Sequence, residues 1–113
     1  MKPEQAYLHH ILEEIDFLQT ETADVNFEQF RRSGLLTRAC ARSLEIIGEA
    51  AKNVPDGFKR LHPEVDWRRL AGMRDKIIHH YFGVNWEIVW DVIRNRLSEL
   101  KGQITPLLDD TSP

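Results

Sequence analysis

The chain has 113 residues and a net charge of −3, and hydrophobic and charged residues make up 42% and 29% of it. This length predicts a single domain, and this balance is typical of a folded globular protein and excludes a disordered one. A single cysteine, Cys40, excludes an internal disulfide and favours a reducing compartment. Because no basic start leads into an apolar run and no apolar run approaches membrane-spanning length, we expect a cytoplasmic protein with no signal peptide and no membrane contact.

The charge is unevenly distributed along the chain. Residues 1–30 carry seven acids against one lysine, a net charge of −6, whereas residues 31–101 carry fourteen lysines and arginines against nine acids, a net charge of +5. The average charge argues against a nucleic-acid partner, but the central region allows one. On charge alone, an ordinary mixed surface is slightly favoured.

Apolar residues recur at three- and four-residue steps along most of the chain, which predicts amphipathic helices. The first begins near Pro3, and Asp24 or Asn26 is expected to cap a short helix after it, which Ser33-Gly34 breaks. Asp66 and Asn85 are the expected caps of the last two long helices. The long helices are predicted over about residues 4–21, 35–54, from 67 to a stop at Gly83, and 86–104, with an extra turn over 58–62.

No strand pattern or internal repeat interrupts these helices. The sequence therefore predicts an all-α fold, an up-and-down bundle of four main helices plus short extra helices. We expect one domain over residues 1–108 and a polar tail over residues 109–113.

The second long helix combines a glycine with a polar stripe. Gly48 costs a helix interior roughly 1 kcal/mol relative to alanine, and a close helix–helix approach would offset that cost. The stripe can form ion pairs within the helix, worth roughly 0.2–0.5 kcal/mol each. Its members are Arg38, Arg42, Glu45, Glu49 and Lys52.

The segment from Arg74 to Tyr81 has the residue types needed for work on a phosphodiester. Arginine holds anionic oxygens in a fork, and histidine gives or takes a proton near neutral pH. On an ideal helix Arg74 and His79 lie roughly 140° apart and about 7.5 Å apart in rise, so they are not stacked neighbours, although a long arginine side chain could lean toward His79. Tyr81 lies nearly above Arg74 if the helix continues. On spacing alone, however, such residues are most often a solvated face.

Metal and cofactor sites are not expected. His79 and His80 are adjacent, so on a helix they point about 100° apart and do not easily share one ion. Cys40 has no recognisable catalytic partner, and the glycines are too scattered for a phosphate-binding loop. The three tryptophans are more typical of core or interface anchors than of a base-stacking platform.

Two stretches resemble one known family. Residues 67–90, WRRLAGMRDKIIHHYFGVNWEIVW, and residues 42–51, RSLEIIGEAA, are similar to the HepT-like toxins of the HEPN helical superfamily. The specific motif is Arg, four residues, His, one residue, Tyr, here Arg74, His79 and Tyr81. Asp75 and His80 depart from the usual motif, which has asparagine or another polar residue and a small residue there. They are candidate supporting residues, and Asp75 could pair with Arg74 and mute it.

The resemblance implies a function and its partners. It implies a HEPN-like fold and a homodimeric, metal-independent endoribonuclease, the toxin of a prokaryotic toxin–antitoxin pair. Arg74 and His79 would be catalytic on RNA. The antitoxin would be an MntA-type nucleotidyltransferase that transfers AMP from ATP onto Tyr81 and so silences the toxin. No cofactor is implied.

Two other functions stay open at this point. The chain could be a catalytically silent HEPN module that binds RNA or a nucleotide, or only its nucleotidyltransferase partner. It could also be a purely structural helical dimer. A dimer is also suggested by the residues themselves, because Trp86 and Trp90 lie on a heptad-spaced apolar face and one chain supplies only one catalytic set.

Overall fold

The computed structural model describes residues 2–79 and 83–109, with the side chains of Ile78 and His79 outside the description. This part of the chain is helical, and none of its residues lies in a strand, as predicted. The helices are α1 (Pro3–Thr22), α2 (Phe27–Arg32), α3 (Gly34–Asn53), α4 (Asp56–Leu61), α5 (Trp67–His79), α6 (Trp86–Asn95) and α7 (Leu97–Ile104), followed by a short 3-10 helix (Thr105–Leu107).

Helix α3 is the centre of the bundle, and its two long neighbours are α1 and α5. It can occupy this place because its apolar and small residues cover more than one face, so it is buried against both neighbours. Leu44 and Ile47 are fully buried on it, and Ala50 and Ala51 are buried beside them. The predicted all-α helical fold is confirmed in the described residues.

Capping side chains set the helix starts as expected from the sequence. Of the two candidates for α2, Asn26 is the cap: its side chain accepts from the Gln29 N–H at 2.8 Å, and Gln29 Oε1 accepts from the Asn26 N–H at 2.9 Å. Asp66 accepts from the Arg69 N–H at 3.1 Å at the start of α5. Asn85 accepts from two N–H groups of the first turn of α6.

The predicted last helix over residues 86–104 is wrong in one respect, because it is two helices. Arg96 has φ −116° and ψ −25°, which ends α6 and precedes α7. The apolar spacing runs on through this break, since Ile93 and Leu97 are both buried. The two parts follow different neighbours: α6 packs against α2, whereas α7 packs against α1. The predicted end of α5 at Gly83 stays a prediction, because residues 80–82 lie outside the described ones.

The three tryptophans are packed within the chain. Trp67 is buried, and its indole N–H donates to the His62 carbonyl at 2.9 Å. The ring centroid of Phe30 lies 4.9 Å from that of Trp90 and 6.0 Å from that of Trp86. Trp67 is therefore a core anchor, and Trp86 and Trp90 are half-buried and pack against the edge of the core. Within residues 2–79 and 83–109, no helix has the length and apolarity needed to cross a bilayer.

Candidate functional site

The site begins with a contact between two backbones, where α3 meets α5. A Cβ atom placed on Gly48 would lie 2.4 Å from the Cβ of Arg74 and 2.8 Å from the Leu70 carbonyl oxygen. Real Cβ atoms essentially never show such distances, so only glycine permits this approach. The close helix–helix contact expected at Gly48 is therefore present, and the residue it holds in place is Arg74.

The Arg74 side chain lies between two carboxylates. Its Nε lies 3.0 Å from Oε2 of Glu49, on the neighbouring helix α3, and its Nη1 donates to Oδ1 of Asp75 at 2.9 Å. The Arg74 side chain is 28% exposed, whereas those of Glu49 and Asp75 are about half exposed. The guanidinium is thus placed at the seam between α3 and α5 and remains accessible from solvent.

The carboxylates around Arg74 act on its protonation. The hydrogen bond with Asp75 raises the pKa of Arg74, desolvation opposes this, and the charges of Glu49, Asp75 and Glu45 add to the rise. The guanidinium therefore keeps its positive charge throughout the physiological range. It can supply a fixed cation to an anionic ligand, but it cannot act as a proton carrier.

The pairing of Asp75 with Arg74, which the sequence allowed, is present. Asp75 engages Nη1, one of the two terminal amino groups with which an arginine fork binds a phosphate. A phosphate that approached these groups would compete with Asp75. Asp75 is thus the described residue best placed to weaken the binding of an anion at Arg74.

The other proposed site residues cannot be placed relative to Arg74. His79 is the last residue of α5, but its side chain is among those outside the description. His80 and Tyr81 lie outside the described residues altogether. The proximity of the His79 imidazole, the His80 imidazole and the Tyr81 hydroxyl to Arg74 therefore stays a prediction.

Glu49 is the residue that the sequence interpretation missed. It was assigned to a stripe that pairs within α3, and for Glu45 this is correct, because Glu45 lies 3.3 Å from Arg42. Glu49 instead reaches across to α5. The sequence contained only part of the signal: a glycine inside a helix marks a close approach, but it does not show which residue of α5 lies opposite Glu49.

An apolar cavity of about 250 Å³ lies beside α5, between it and the helices α3 and α6. Its walls include Leu44, Met73, Ile77 and Val89, and Lys76 also lines it. The cavity lies on the part of α5 that leads to the motif histidine. It has few polar groups, so it is suited to apolar contact and not to holding a phosphate.

Metal-binding and thiol chemistry are not supported by the described side chains. In residues 2–77 and 83–109, whose side chains the structure describes, no three His, Cys, Asp or Glu side chains are grouped as metal ligands would be. Burial, followed by the charge of Glu21, raises the pKa of the Cys40 thiol to about 11. Cys40 is therefore protonated at neutral pH and is not an activated nucleophile.

Comparison with known proteins gives one consistent result. The family model described as "Ribonuclease HepT-like" matches residues 11–107. A provisionally named RNase of Caldanaerobacter subterraneus subsp. tengcongensis is 49% identical over 108 residues, 96% of each chain. A protein of Thermococcus cleftensis, provisionally named a HepT ribonuclease, is 46% identical over 101 residues. These residues cover 89% of this chain and 92% of the relative.

A third relative, from Methanocaldococcus jannaschii, is also provisionally named an RNase. It is 40% identical over 109 residues, covering 96% of this chain and 90% of its own. No solved structure matches the chain. The similarity to these relatives extends over nearly the whole chain and includes both α3 and α5, the helices that meet at Arg74.

Proposed function

Because this chain belongs to the HepT-like ribonuclease family, we propose that it is a metal-independent endoribonuclease, the toxin of a prokaryotic toxin–antitoxin system. The observation that carries the proposal is the placement of Arg74. Its backbone packs directly on Gly48, and its guanidinium is accessible at a helix seam, on the same helix as His79. A fixed cation and a proton carrier on one helix are the groups that RNA cleavage needs.

The proposed reaction uses the RNA's own 2′-hydroxyl. Its oxygen attacks the adjacent phosphorus while a base takes its proton, and the bond from phosphorus to the 5′-oxygen breaks as an acid protonates the leaving oxygen. The products are a 2′,3′-cyclic phosphate and a free 5′-hydroxyl. Arg74 stabilises the charge on the non-bridging oxygens of the phosphorane, and His79 acts as base or acid.

We propose that the active form is a homodimer. One chain supplies one motif histidine, whereas the reaction needs both a proton acceptor and a proton donor. Two chains that bring their α5 helices to a common groove would supply both. The support for a dimer is the incomplete catalytic set within one chain. Trp86 and Trp90 add no separate support, because both already pack against Phe30 within the chain.

Regulation is proposed to act on Tyr81, through an MntA-type nucleotidyltransferase antitoxin. The phenol oxygen would attack the α-phosphorus of ATP, forming the tyrosine–AMP bond and releasing pyrophosphate. The added phosphodiester is negatively charged and bulky. Placed near Arg74, it would compete with the RNA phosphate for the guanidinium and block the groove.

The pairing of Arg74 with two carboxylates favours a second candidate, a catalytically silent module that binds RNA, a nucleotide or only its nucleotidyltransferase partner. The deciding experiment incubates the purified chain with RNA in EDTA and identifies the product ends. A nuclease leaves 2′,3′-cyclic phosphate ends that disappear in Arg74→Ala and in His79→Ala. Cleavage that survives both substitutions but stops in EDTA would overturn the proposed mechanism. Binding without cleavage would establish the silent module.

A further inference from the structure

We propose that Glu49 is a positioning residue for Arg74: it holds the guanidinium at Nε, across the seam from α3, and so orients the terminal amino groups toward the RNA phosphate. This inference rests on the proposed ribonuclease function. It adds a functional role for a residue outside the Arg74–Tyr81 segment. It also assigns different roles to the two carboxylates that contact Arg74.

The difference between the two carboxylates follows from where each is attached. Asp75 is the next residue after Arg74 on α5, so its contact with Nη1 joins two neighbouring residues of one helix. Glu49 is on α3, and its carboxylate lies 3.0 Å from Nε. Contact from a second helix restrains the side chain against an independent reference, which is what a positioning group must do.

The nitrogens of Arg74 that the two carboxylates contact support the same assignment of roles. Nε is the nitrogen nearest the backbone, so a contact there limits the side-chain torsions and does not cover the outer end of the fork. Asp75 contacts Nη1 at that outer end. Within the described residues, Glu49 is thus the contact that is compatible with a phosphate bound between Nη1 and Nη2.

Gly48 makes the arrangement rigid. It is the residue before Glu49, and its Cα lies against the backbone of Arg74, where a Cβ would approach the Arg74 Cβ to 2.4 Å. The start of the Arg74 side chain and the start of the Glu49 side chain are therefore held at a fixed separation. A second contact of Glu49, to the Asn53 side-chain amide at 3.3 Å, restrains the carboxylate itself.

The first test measures the contact without using activity. In the full chain labelled with ¹⁵N-arginine, the Arg74 Nε–H is expected to exchange slowly with water, because the Glu49 carboxylate, 3.0 Å from Nε, repels the hydroxide that catalyses exchange. Glu49→Ala should accelerate that exchange several-fold, because the nearby negative charge is lost. Glu28→Ala is the matched control, since Glu28 is 52% exposed like Glu49 but lies on α2, where it pairs with Arg32. Equal exchange in wild type and Glu49→Ala would overturn the proposal.

The second test measures RNA cleavage. We expect Glu49→Ala to lower kcat roughly tenfold with little change in KM, because a misplaced catalytic group costs rate even when binding persists. Glu49→Asp keeps the carboxylate on a side chain one methylene shorter and should restore part of kcat. Glu28→Ala, which removes an equally exposed ion-paired carboxylate on α2, should cleave like wild type. Circular dichroism and thermal unfolding must show that all variants remain folded, which is expected for a half-exposed ion pair.

A variant without the Arg74 guanidinium tests whether Glu49 acts through Arg74 or independently of it. Arg74→Lys keeps the charge but has no Nε, so adding Glu49→Ala to it should change kcat less than twofold, by the logic of a double-mutant cycle. A full loss in that background, or faster cleavage in Glu49→Ala alone, would overturn the proposal. If Arg74→Ala itself cleaves normally, the proposed function fails, while the exchange measurement still decides whether Glu49 holds Arg74.

Discussion

Gly48 and Arg74 are in backbone contact across the seam between α3 and α5, so close that a Cβ on Gly48 would come within 2.4 Å of the Arg74 Cβ. The position of the candidate catalytic arginine is thus set by main-chain packing and not by its own long side chain. Main-chain packing thus fixes where the Arg74 side chain starts, and the contact with Glu49 restrains its guanidinium end. The consequence is that stability and activity should be coupled at Gly48.

Gly48→Ala is expected to destabilise the fold, although alanine favours a helix interior by about 1 kcal/mol. The added methyl group meets backbone atoms of α5 that cannot rotate away, so the helices must separate, at a cost of roughly 1–3 kcal/mol for overpacking. The measurement is urea unfolding followed by circular dichroism. Cleavage should fall further than the unfolded fraction explains, because Arg74 is displaced.

Gly102→Ala is the control for helix propensity. Gly102 is inside α7, and a Cβ there meets nothing within 4 Å. This substitution should raise stability by about 0.5–1 kcal/mol. If Gly48→Ala were as stable as Gly102→Ala, the close contact would not exist in solution.

The sequence predicted the fold well because burial follows the apolar spacing. Leu8, Ile11, Ile15 and Leu18 recur at helical steps and are all fully buried on α1. The same spacing could not reveal the break at Arg96. Apolar periodicity indicates which face is buried. That face continues from Ile93 to Leu97, although the helix is interrupted at Arg96.

The site was predictable only in part, because its contacts join residues far apart in the sequence. Arg74 was singled out by its residue type, and Gly48 by its cost inside a helix. The pair of Glu49 with Arg74 depends on how α3 and α5 are aligned, and no spacing within either helix contains that alignment. Charge patterning instead favoured partners on the same helix, which is what Arg42 and Glu45 do.

Asp75→Asn is expected to strengthen RNA binding by several-fold and to raise cleavage at low RNA concentration. It removes a charge that holds Nη1 of Arg74 at 2.9 Å and that competes with the phosphate. The measurement is KM for a defined RNA at two salt concentrations. Lys76→Gln on the same helix is the control, since it removes a charge of opposite sign and should weaken binding. Slower cleavage in Asp75→Asn would make Asp75 a supporting residue of the reaction.

The proposed homodimer can be tested by complementation. Light scattering at micromolar concentration should give the mass of two chains. If the two chains line one groove, mixing the inactive Arg74→Ala and His79→Ala chains should restore part of the cleavage, since a mixed dimer still holds one Arg74 and one His79. A monomer, or a mixture as inactive as its components, would count against a shared groove.

Cys40 gives a prediction for pH dependence. Its pKa in the folded chain is raised from an ordinary value near 9 to about 11, mainly by burial. Between these values the folded state binds the proton more tightly than the unfolded state, so the free energy of unfolding should fall as pH rises from 9 to 11. Cys40→Ala should lack this component of the decline. A rapid reaction of native Cys40 with iodoacetamide at pH 8 would contradict the shift.

Tyr81→Phe separates catalysis from regulation, because it keeps the ring and removes the oxygen that would accept AMP. A phenol with a pKa near 10 is a poor proton carrier at neutral pH beside a histidine, so cleavage should survive. Rescue by a co-expressed MntA-type nucleotidyltransferase should be lost, and mass spectrometry should find the AMP adduct only on the wild-type peptide that contains Tyr81. Tyr7→Phe is the matched control, since Tyr7 is on α1, packs against His10 and should not affect modification. If Tyr81→Phe is still modified and silenced, the acceptor is another residue. If it is folded but no longer cleaves RNA, its hydroxyl takes part in the reaction, and the division of roles between His79 and Tyr81 is wrong.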